Sequence, residues 1–288
     1  MKYAYVEITE KCNLNCPFCP SAQIKGARGE MQEDLFTAVL DNLKENVQEL
    51  FFHVLGEPLL HPKLAEFLAL AGSRNFKVNL TTNGLLIAEK GPIILASPFV
   101  RQVNFSTHAL AYLDAEFAGN SLSQIFAFAD KVKEVRPDLY INFRLWNEKS
   151  DSISETWNVS MLKELSEHYG VDVSLEDFKV RHKSIPLQGR IYLHRDSRFD
   201  WPGTKEEQVR ECGTCHALID QCAILCDGRI VPCCLDYAGK MTLGKIPEDS
   251  FESIMRNSKT NAMRNGFANN VLIEEFCKKC SFSKRFPV

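Results

Sequence analysis

The placement of the cysteines constrains this chain more than any other feature. Of eleven in 288 residues, Cys12, Cys16 and Cys19 fall in the stretch EITEKCNLNCPFCP, none lies between 20 and 211, and eight lie between 212 and 280. Thiols at this density, behind a start (KYAYVEIT) with no charged n-region and no apolar h-region, argue for metal ligation rather than a disulfide framework. The chain therefore reads as two metal regions separated by a cysteine-free scaffold. No apolar run approaches the length of a membrane span, so neither export nor a membrane anchor is expected, and the expected location is cytoplasmic. A net charge of −3 gives no extensive nucleic-acid surface, and the basic tail KKCSFSKR reads as a solvated terminus.

The scaffold alternates strand and helix about six times. Residues 3–9 form a β-rich run, and EMQEDLFTAVLDNLKENV places Met31, Leu35, Phe36, Val39, Leu40 and Leu43 on one helical face. The runs ELFFHV, FKVNLTT, VRQVNFS and LYINFRLW follow as strands with helices between them. The last helix ends at Gly170, and VDVSLEDF reads as a sixth strand. This rhythm means a parallel α/β sheet, open or curved into a partial barrel. The polar stretches all follow strand C-termini, the face where parallel α/β folds build their sites. The organisation expected is a barrel over 1–180, an irregular connector over 181–211 and a cysteine-rich domain over 212–288, with a hairpin at the turn CDGR.

Three thiolates spaced C-x3-C-x2-C can hold three irons of a [4Fe–4S] cubane and leave the fourth open to an exogenous chelator. A zinc site is the alternative and needs a further ligand, such as Glu10 or His53. At other strand ends, His108 and Arg144 are the candidate catalytic groups. Arg144 alternates with Phe143 and Leu145, so it faces the barrel interior if they face outward. There it would meet an anionic or hydroxyl-bearing partner, or an internal ion pair.

With Phe18 before Cys19, the loop resembles that of the radical S-adenosylmethionine (radical SAM) enzymes. The resemblance implies a partial (β/α)6 TIM-like barrel and a [4Fe–4S] cluster bound by Cys12, Cys16 and Cys19. The open iron of that cluster takes the amino and carboxylate groups of S-adenosylmethionine. LGEP is similar to the family's glycine-rich motif after the second strand. It departs at Leu55, where glycine is usual, and keeps Gly56 and Glu57 for the methionyl amine. Asn83, Gly84 and Ser106 match positions that approach the methionyl and ribose groups.

The segment GRIVPCCLDYAGKMTLGKI followed by FCKKC resembles the SPASM extension in its shorter twitch form. That resemblance implies one auxiliary [4Fe–4S] cluster on Cys215, Cys233, Cys277 and Cys280, whereas CGTC and CKKC alone also fit a zinc ribbon. Cys212, Cys222, Cys226 and Cys234 are left over as small buried residues, ligands of a second auxiliary cluster, or a hydrogen-atom donor. ARGEM and STHA are similar to segments of the aminocyclitol dehydrogenase of butirosin biosynthesis. The expected activity is reductive cleavage of S-adenosylmethionine to a 5′-deoxyadenosyl radical that abstracts hydrogen from a small polar metabolite, a sugar, aminocyclitol or modified nucleobase. The auxiliary cluster would accept the electron, His108 would serve as base, and a flavodoxin or ferredoxin-type donor would supply reducing equivalents. A peptide-modifying maturase or epimerase and a radical carbon–nitrogen or carbon–carbon lyase are the alternatives. Because the cysteine loop begins at residue 12, no leader-binding domain is expected ahead of it.

Overall fold

The computed structural model describes residues 1–23, 29–148, 150–173, 184–198, 200–202 and 209–286. Two compact units divide the chain, one of residues 1–78 with 199–288 and one of residues 79–198. Strand β3 (Lys77–Thr82) carries the chain from the first to the second.

In the first unit, β1 (Tyr3–Val6) pairs in parallel with β2 (Glu49–Phe52) on one side and with β8 (Gln221–Ile224) on the other. β8 turns through Leu225–Gly228 into antiparallel β9 (Arg229–Val231), and β10 (Gly244–Lys245) follows on its far edge. The hairpin at CDGR is as expected. Its parallel addition to β1, Tyr3 beside Gln221 and Val6 beside Ile224, is not foreshadowed by any local pattern. Helix α1 (Glu33–Leu43) buries Phe36, which stacks at 4.1 Å on Phe67 of α2 (Leu64–Ser73) and meets Phe52 edge-on at 5.7 Å. Beyond β10, Ser250 and Asn257 cap α6 (Phe251–Arg256) and α7 (Ser258–Ala268), each accepting a backbone N–H of the first turn. A four-residue helix α8 (Glu275–Lys278) carries Cys277.

In the second unit, α3 (Ile87–Ala96), α4 (Ala115–Val135) and α5 (Ser152–Tyr169) connect β4 (Val100–Phe105) and β5 (Tyr140–Glu148) to what precedes and follows them. Gly170 ends α5 in the left-handed conformation at φ 64°, as its position predicted. The stretch expected as an irregular connector contains a hairpin, β6 (Ser184–Gln188) and β7 (Ile191–Ser197), and β7 lies parallel to β5. The sixth parallel strand is therefore β7. Residues 171–173 are not strand, and the rest of VDVSLEDF lies outside the described residues.

The strand orders β10-β9-β8-β1-β2 and β3-β4-β5-β7-β6 do not close on themselves, as a partial barrel requires. Among the described residues no helix is long and apolar enough to cross a membrane.

One face of the second unit is polar although buried. Phe143 points to the helices and meets Phe126 of α4 edge-on at 5.6 Å. Strand alternation therefore puts Asn142 and Arg144 on the opposite face. There Asn104 Oδ1 accepts from Asn142 Nδ2 (2.9 Å) and Gln102 Nε2 (2.8 Å), while Asn104 Nδ2 donates to the Leu80 carbonyl (3.1 Å). Asn104 is fully buried and Asn142 is 4 % exposed. Parallel strands usually bury apolar side chains on both faces, so this amide ladder marks a surface built for polar contents.

Candidate functional site

In the first unit the cysteine loop leaves β1 and closes on itself. Cys19 N–H donates to the Cys16 carbonyl (3.0 Å), Leu14 N–H to Cys12 Sγ (3.5 Å), and Cys19 Sγ lies 3.3 Å from Ser21 Oγ. Burial, and then the Cys19 and Cys12 sulfurs, push the Cys16 thiol up to about 12. A thiol whose ionisation burial and two neighbouring sulfurs disfavour is one that a cationic centre beside it would stabilise.

The segment after β2 is fastened to the start of this loop. Gly56 adopts φ +73°, and a Cβ there would lie 2.0 Å from the Thr9 carbonyl oxygen. Glu57 N–H donates to the Lys11 carbonyl at 2.8 Å. Glu57 is 2 % exposed, and one of its oxygens accepts Leu59 N–H (3.0 Å), capping the turn Pro58–Leu60. Phe18 is partly buried in the same loop. Of the residues considered as zinc ligands, Glu10 accepts Gly29 N–H at 2.8 Å and His53 packs on Tyr5 at 5.1 Å.

The same unit gathers the four C-terminal thiols Cys215, Cys233, Cys277 and Cys280. Cys233 is pushed well up by burial, then by Cys234, Cys215 and Cys277. Cys277 is raised by burial, then by Cys215 and Cys280. The remaining cysteines separate by environment. Cys222 is fully buried on β8, its thiol raised to about 12 by burial, and Cys234 packs on the apolar cluster of Val54, Ala223, Leu225 and Val231. Cys212 is exposed and bridges Val271. Cys226 lies with Glu7 and Glu10, whose donor atoms are all within 4.8 Å of one another.

Among the described residues that trio alone is compact enough for a single ion. A tetrahedral zinc would hold its sulfurs about 3.8 Å apart, from a Zn–S bond of about 2.3 Å. Neither cysteine set draws three sulfurs within 4.8 Å. By their chemistry, donor sets of three and four thiols suit iron–sulfur ligation.

Glu7, Asp236 and His194 were missed by the sequence reading. Glu7 is 1 % exposed, and burial followed by the Glu10 charge raises its carboxyl to about 8, against two stabilising backbone hydrogen bonds. The folded protein then binds a proton that the unfolded chain releases near 4.5, so Glu7's contribution to stability falls as pH rises from about 4.5 to 8. Urea midpoints measured across that window should decline more steeply with pH in the native protein than in Glu7→Gln. Parallel slopes would show that Glu7 is ionised. Asp236 is fully buried in the SPASM-like segment and accepts N–H bonds from Lys240 (2.8 Å) and Met241 (2.7 Å), shaping the turn after Cys233.

The second unit holds the other expected residues. Asn83 and Gly84 form a turn in which Asn83 Oδ1 accepts Leu85 N–H, and Gly84 sits at φ +83° with N–H on Thr82 Oγ1. Ser106 N–H donates to the Thr82 carbonyl, and the Ser106 carbonyl accepts Ala109 N–H. The structure brings His108 and Arg144 together: His108 Nδ1 lies 3.0 Å from the Arg144 carbonyl. A carbonyl only accepts, so Nδ1 carries the hydrogen and the neutral ring keeps its lone pair on Nε2. Burial, then the Arg144 and Arg198 guanidinium groups, lower His108 to about 4. Arg144 lies 4.5 Å over the Trp146 ring and pairs in register with His194, which is also lowered to about 4 by burial and Arg144. His194 fell in the supposed connector and so drew no attention.

Comparison with known proteins agrees with these features. The family model of the radical SAM superfamily matches residues 6–149, and that of an iron–sulfur cluster-binding domain, SPASM, matches 205–281. A tungsten-containing aldehyde ferredoxin oxidoreductase cofactor-modifying protein from Pyrococcus furiosus is 34 % identical over 112 residues, 38 % of this chain and 32 % of that one. A PqqA peptide cyclase from Gluconobacter oxydans is 34 % identical over 85 residues, 29 % and 24 % of the two chains. The matches thus span about a third or less of these curated relatives. In structure, BtrN in complex with AdoMet and 2-DOIA superposes with a TM-score of 0.55 at 16 % identity, covering 97 % of this chain and 92 % of BtrN. AnSMEcpe with bound AdoMet gives 0.62 at 16 %, covering 98 % and 87 %. SuiB from Streptococcus suis, bound to the precursor peptide SuiA, gives 0.60 at 15 %, covering 96 % and 70 %. At these identities the likeness is one of fold.

Proposed function

Since the chain belongs to the radical SAM superfamily and carries a SPASM domain, we propose that it oxidises a small hydroxylated metabolite by hydrogen-atom abstraction. In this reading Cys12, Cys16 and Cys19 hold the S-adenosylmethionine cluster, and Cys215, Cys233, Cys277 and Cys280 hold the auxiliary one. When bound, the first cluster supplies the electron that cleaves S-adenosylmethionine to the hydrogen-abstracting 5′-deoxyadenosyl radical. Gly56 and Glu57 position the methionyl amine. Asn83, Gly84 and Ser106 serve its methionyl and ribose parts. A flavodoxin or ferredoxin-type donor in a reducing cytoplasm fits this chemistry.

The observation that carries the reading is the His108–Arg144 pair above the amide ladder. His108 is fixed as a neutral imidazole with its lone pair on Nε2, able to take the hydroxyl proton that an oxidised carbinol must lose. Arg144, supported on the Trp146 ring, offers N–H donors to a substrate oxygen. The test is anaerobic turnover with a panel of sugars and aminocyclitols beside short peptides. Expected is 5′-deoxyadenosine together with a carbonyl product from a hydroxylated metabolite. His108→Gln should lower the carbonyl product about 100-fold while S-adenosylmethionine cleavage continues. With its pKa near 4, His108 loses its lone pair only as pH falls through about 4, so it should give no rate limb near 6.5. Turnover of peptides alone would replace this reading with the peptide-modifying one, which the likeness to a PqqA peptide cyclase and to SuiB favours.

A further inference from the structure

Three loops of the first unit, those after β1, β2 and β8, converge on one buried side chain. Glu7 follows β1 directly; its Oε1 accepts Leu55 N–H at 3.1 Å and its Oε2 accepts Cys226 N–H at 3.2 Å. Leu55 opens the segment that continues into Gly56 and Glu57. Those three consecutive residues all touch the stretch ahead of Cys12: Leu55 through Glu7, Gly56 against the Thr9 carbonyl, and Glu57 through the Lys11 carbonyl. Only the first of these contacts is made by a side chain. On the other side, Cys226 leads into the turn Asp227–Gly228 and on to Cys233.

We infer that Glu7 is a positioning residue. Its carboxyl sets both the 55–57 segment and the hairpin turn at Cys226 against the start of the cysteine loop, joining the two thiol regions through one side chain. Two backbone N–H groups on separate loops, Leu55 buried and Cys226 part-buried, have this carboxyl as an acceptor, and removing it would leave both needing another partner. Glu10 and the Cys226 thiol lie beside it, within 4.8 Å. Glu10 is held in turn by Gly29 N–H, and Cys226 Sγ packs against Gly29, where a Cβ would lie 2.8 Å from it. No ion is needed to account for the trio. Burial and then the Glu10 charge hold the Glu7 carboxyl above the usual carboxylate range, against the two backbone hydrogen bonds it accepts.

The inference rests on the proposed role of Gly56 and Glu57 toward S-adenosylmethionine, and its test separates the two. Full-length protein is reconstituted anaerobically as the native chain, Glu7→Gln, Glu7→Ala and Glu57→Gln. Iron per chain is measured for each, and S-adenosylmethionine is titrated against the electron paramagnetic resonance signal of the reduced cluster. Glu7→Gln, with one acceptor oxygen left, should weaken binding about tenfold, and Glu7→Ala about 100-fold, with iron content retained. Unchanged affinity in both Glu7 variants, with Glu57→Gln weakened, would overturn the positioning role. A loss of iron in step with a loss of fold, at unchanged affinity per remaining cluster, would also overturn it. If Glu7→Ala does not fold, Glu7→Gln alone decides, and native affinity in it sinks the idea. Weakened Glu7 variants beside an unaffected Glu57→Gln would keep Glu7 as the clasp and discard the role given to Glu57.

Discussion

Changing Cys12, Cys16 and Cys19 together to alanine is expected to halve the iron, from about eight to about four per chain after anaerobic reconstitution. It should also abolish formation of 5′-deoxyadenosine. The two thiol regions are separate in sequence, and the C-terminal thiols are raised by one another rather than by the N-terminal three. Loss of one cluster should therefore spare the other. Iron falling from about four to none, with zinc retained, would make the C-terminal site structural and remove its part in oxidation. No iron in either protein would discard the two-cluster reading of these thiols.

The second large effect is expected at Gly56. A Cβ there would sit 2.0 Å from the Thr9 carbonyl oxygen and 2.8 Å from its carbon, and the backbone has φ +73°. Both obstacles are main chain, so no rotamer change relieves them. Gly56→Ala should displace the 55–57 segment from the cysteine loop and cost about 3 kcal/mol of stability or more. S-adenosylmethionine binding, followed by calorimetry on the reconstituted protein, should fall at least about 100-fold. Gly84→Ala is the control. Its φ is +83°, but the new methyl would meet the flexible Ile125 Cδ1 at 2.5 Å, and a smaller loss of about 1–2 kcal/mol is expected. Equal effects at the two glycines would show that the backbone contact with Thr9 is not what makes Gly56 special.

The parts of this architecture written in local periodicity were legible. Phe36, Val39, Leu40 and Leu43 lie on the buried face of α1 because i, i+3, i+4, i+7 spacing and burial coincide there, whereas Leu35 is only half-buried and the buried Met31 precedes the helix. Gly170 ends α5, and Asp227–Gly228 turns the hairpin, because each position needs a positive φ or a tight turn. The sixth parallel strand was misplaced for an equally physical reason. The run RIYLHRDS looks too polar for an inner strand, yet β7 buries Arg195 against Glu148 and turns His194 toward Arg144. Its partner β6 is an edge strand, where Pro186 is tolerated. Helix α7 was not anticipated because its composition is polar, and only Thr260, Met263, Gly266 and Phe267 are buried.

Within the site, the cysteines and the GEP and TTNG turns were readable as motifs. Glu7 was not, because a carboxylate next to a strand normally reads as solvent-facing. Strand alternation sets Glu7 with the partly buried Tyr3 and Tyr5, opposite the buried Ala4, Val6 and Ile8, so the pattern gave no hint of its burial. Nothing in spacing could tell that Cys226, rather than Cys212, Cys222 or Cys234, would lie beside it. That follows from the pairing of β8 with β1, which joins residues more than 200 positions apart.

The same pairing dictates a timetable. β1 gains β2 as a neighbour once about fifty residues have been made, but its other edge stays open until residues 221–224 emerge. Through most of synthesis, the strand that presents Cys12, Cys16 and Cys19 therefore has one unpaired edge, a surface prone to wrong partners. Its late closure carries the loop-closing cost of a long-range contact. Until residues 277–280 are made, the C-terminal set lacks Cys277 and Cys280, whereas Cys12, Cys16 and Cys19 are complete from the start. The C-terminal thiol set is thus the last to be complete as the chain is made.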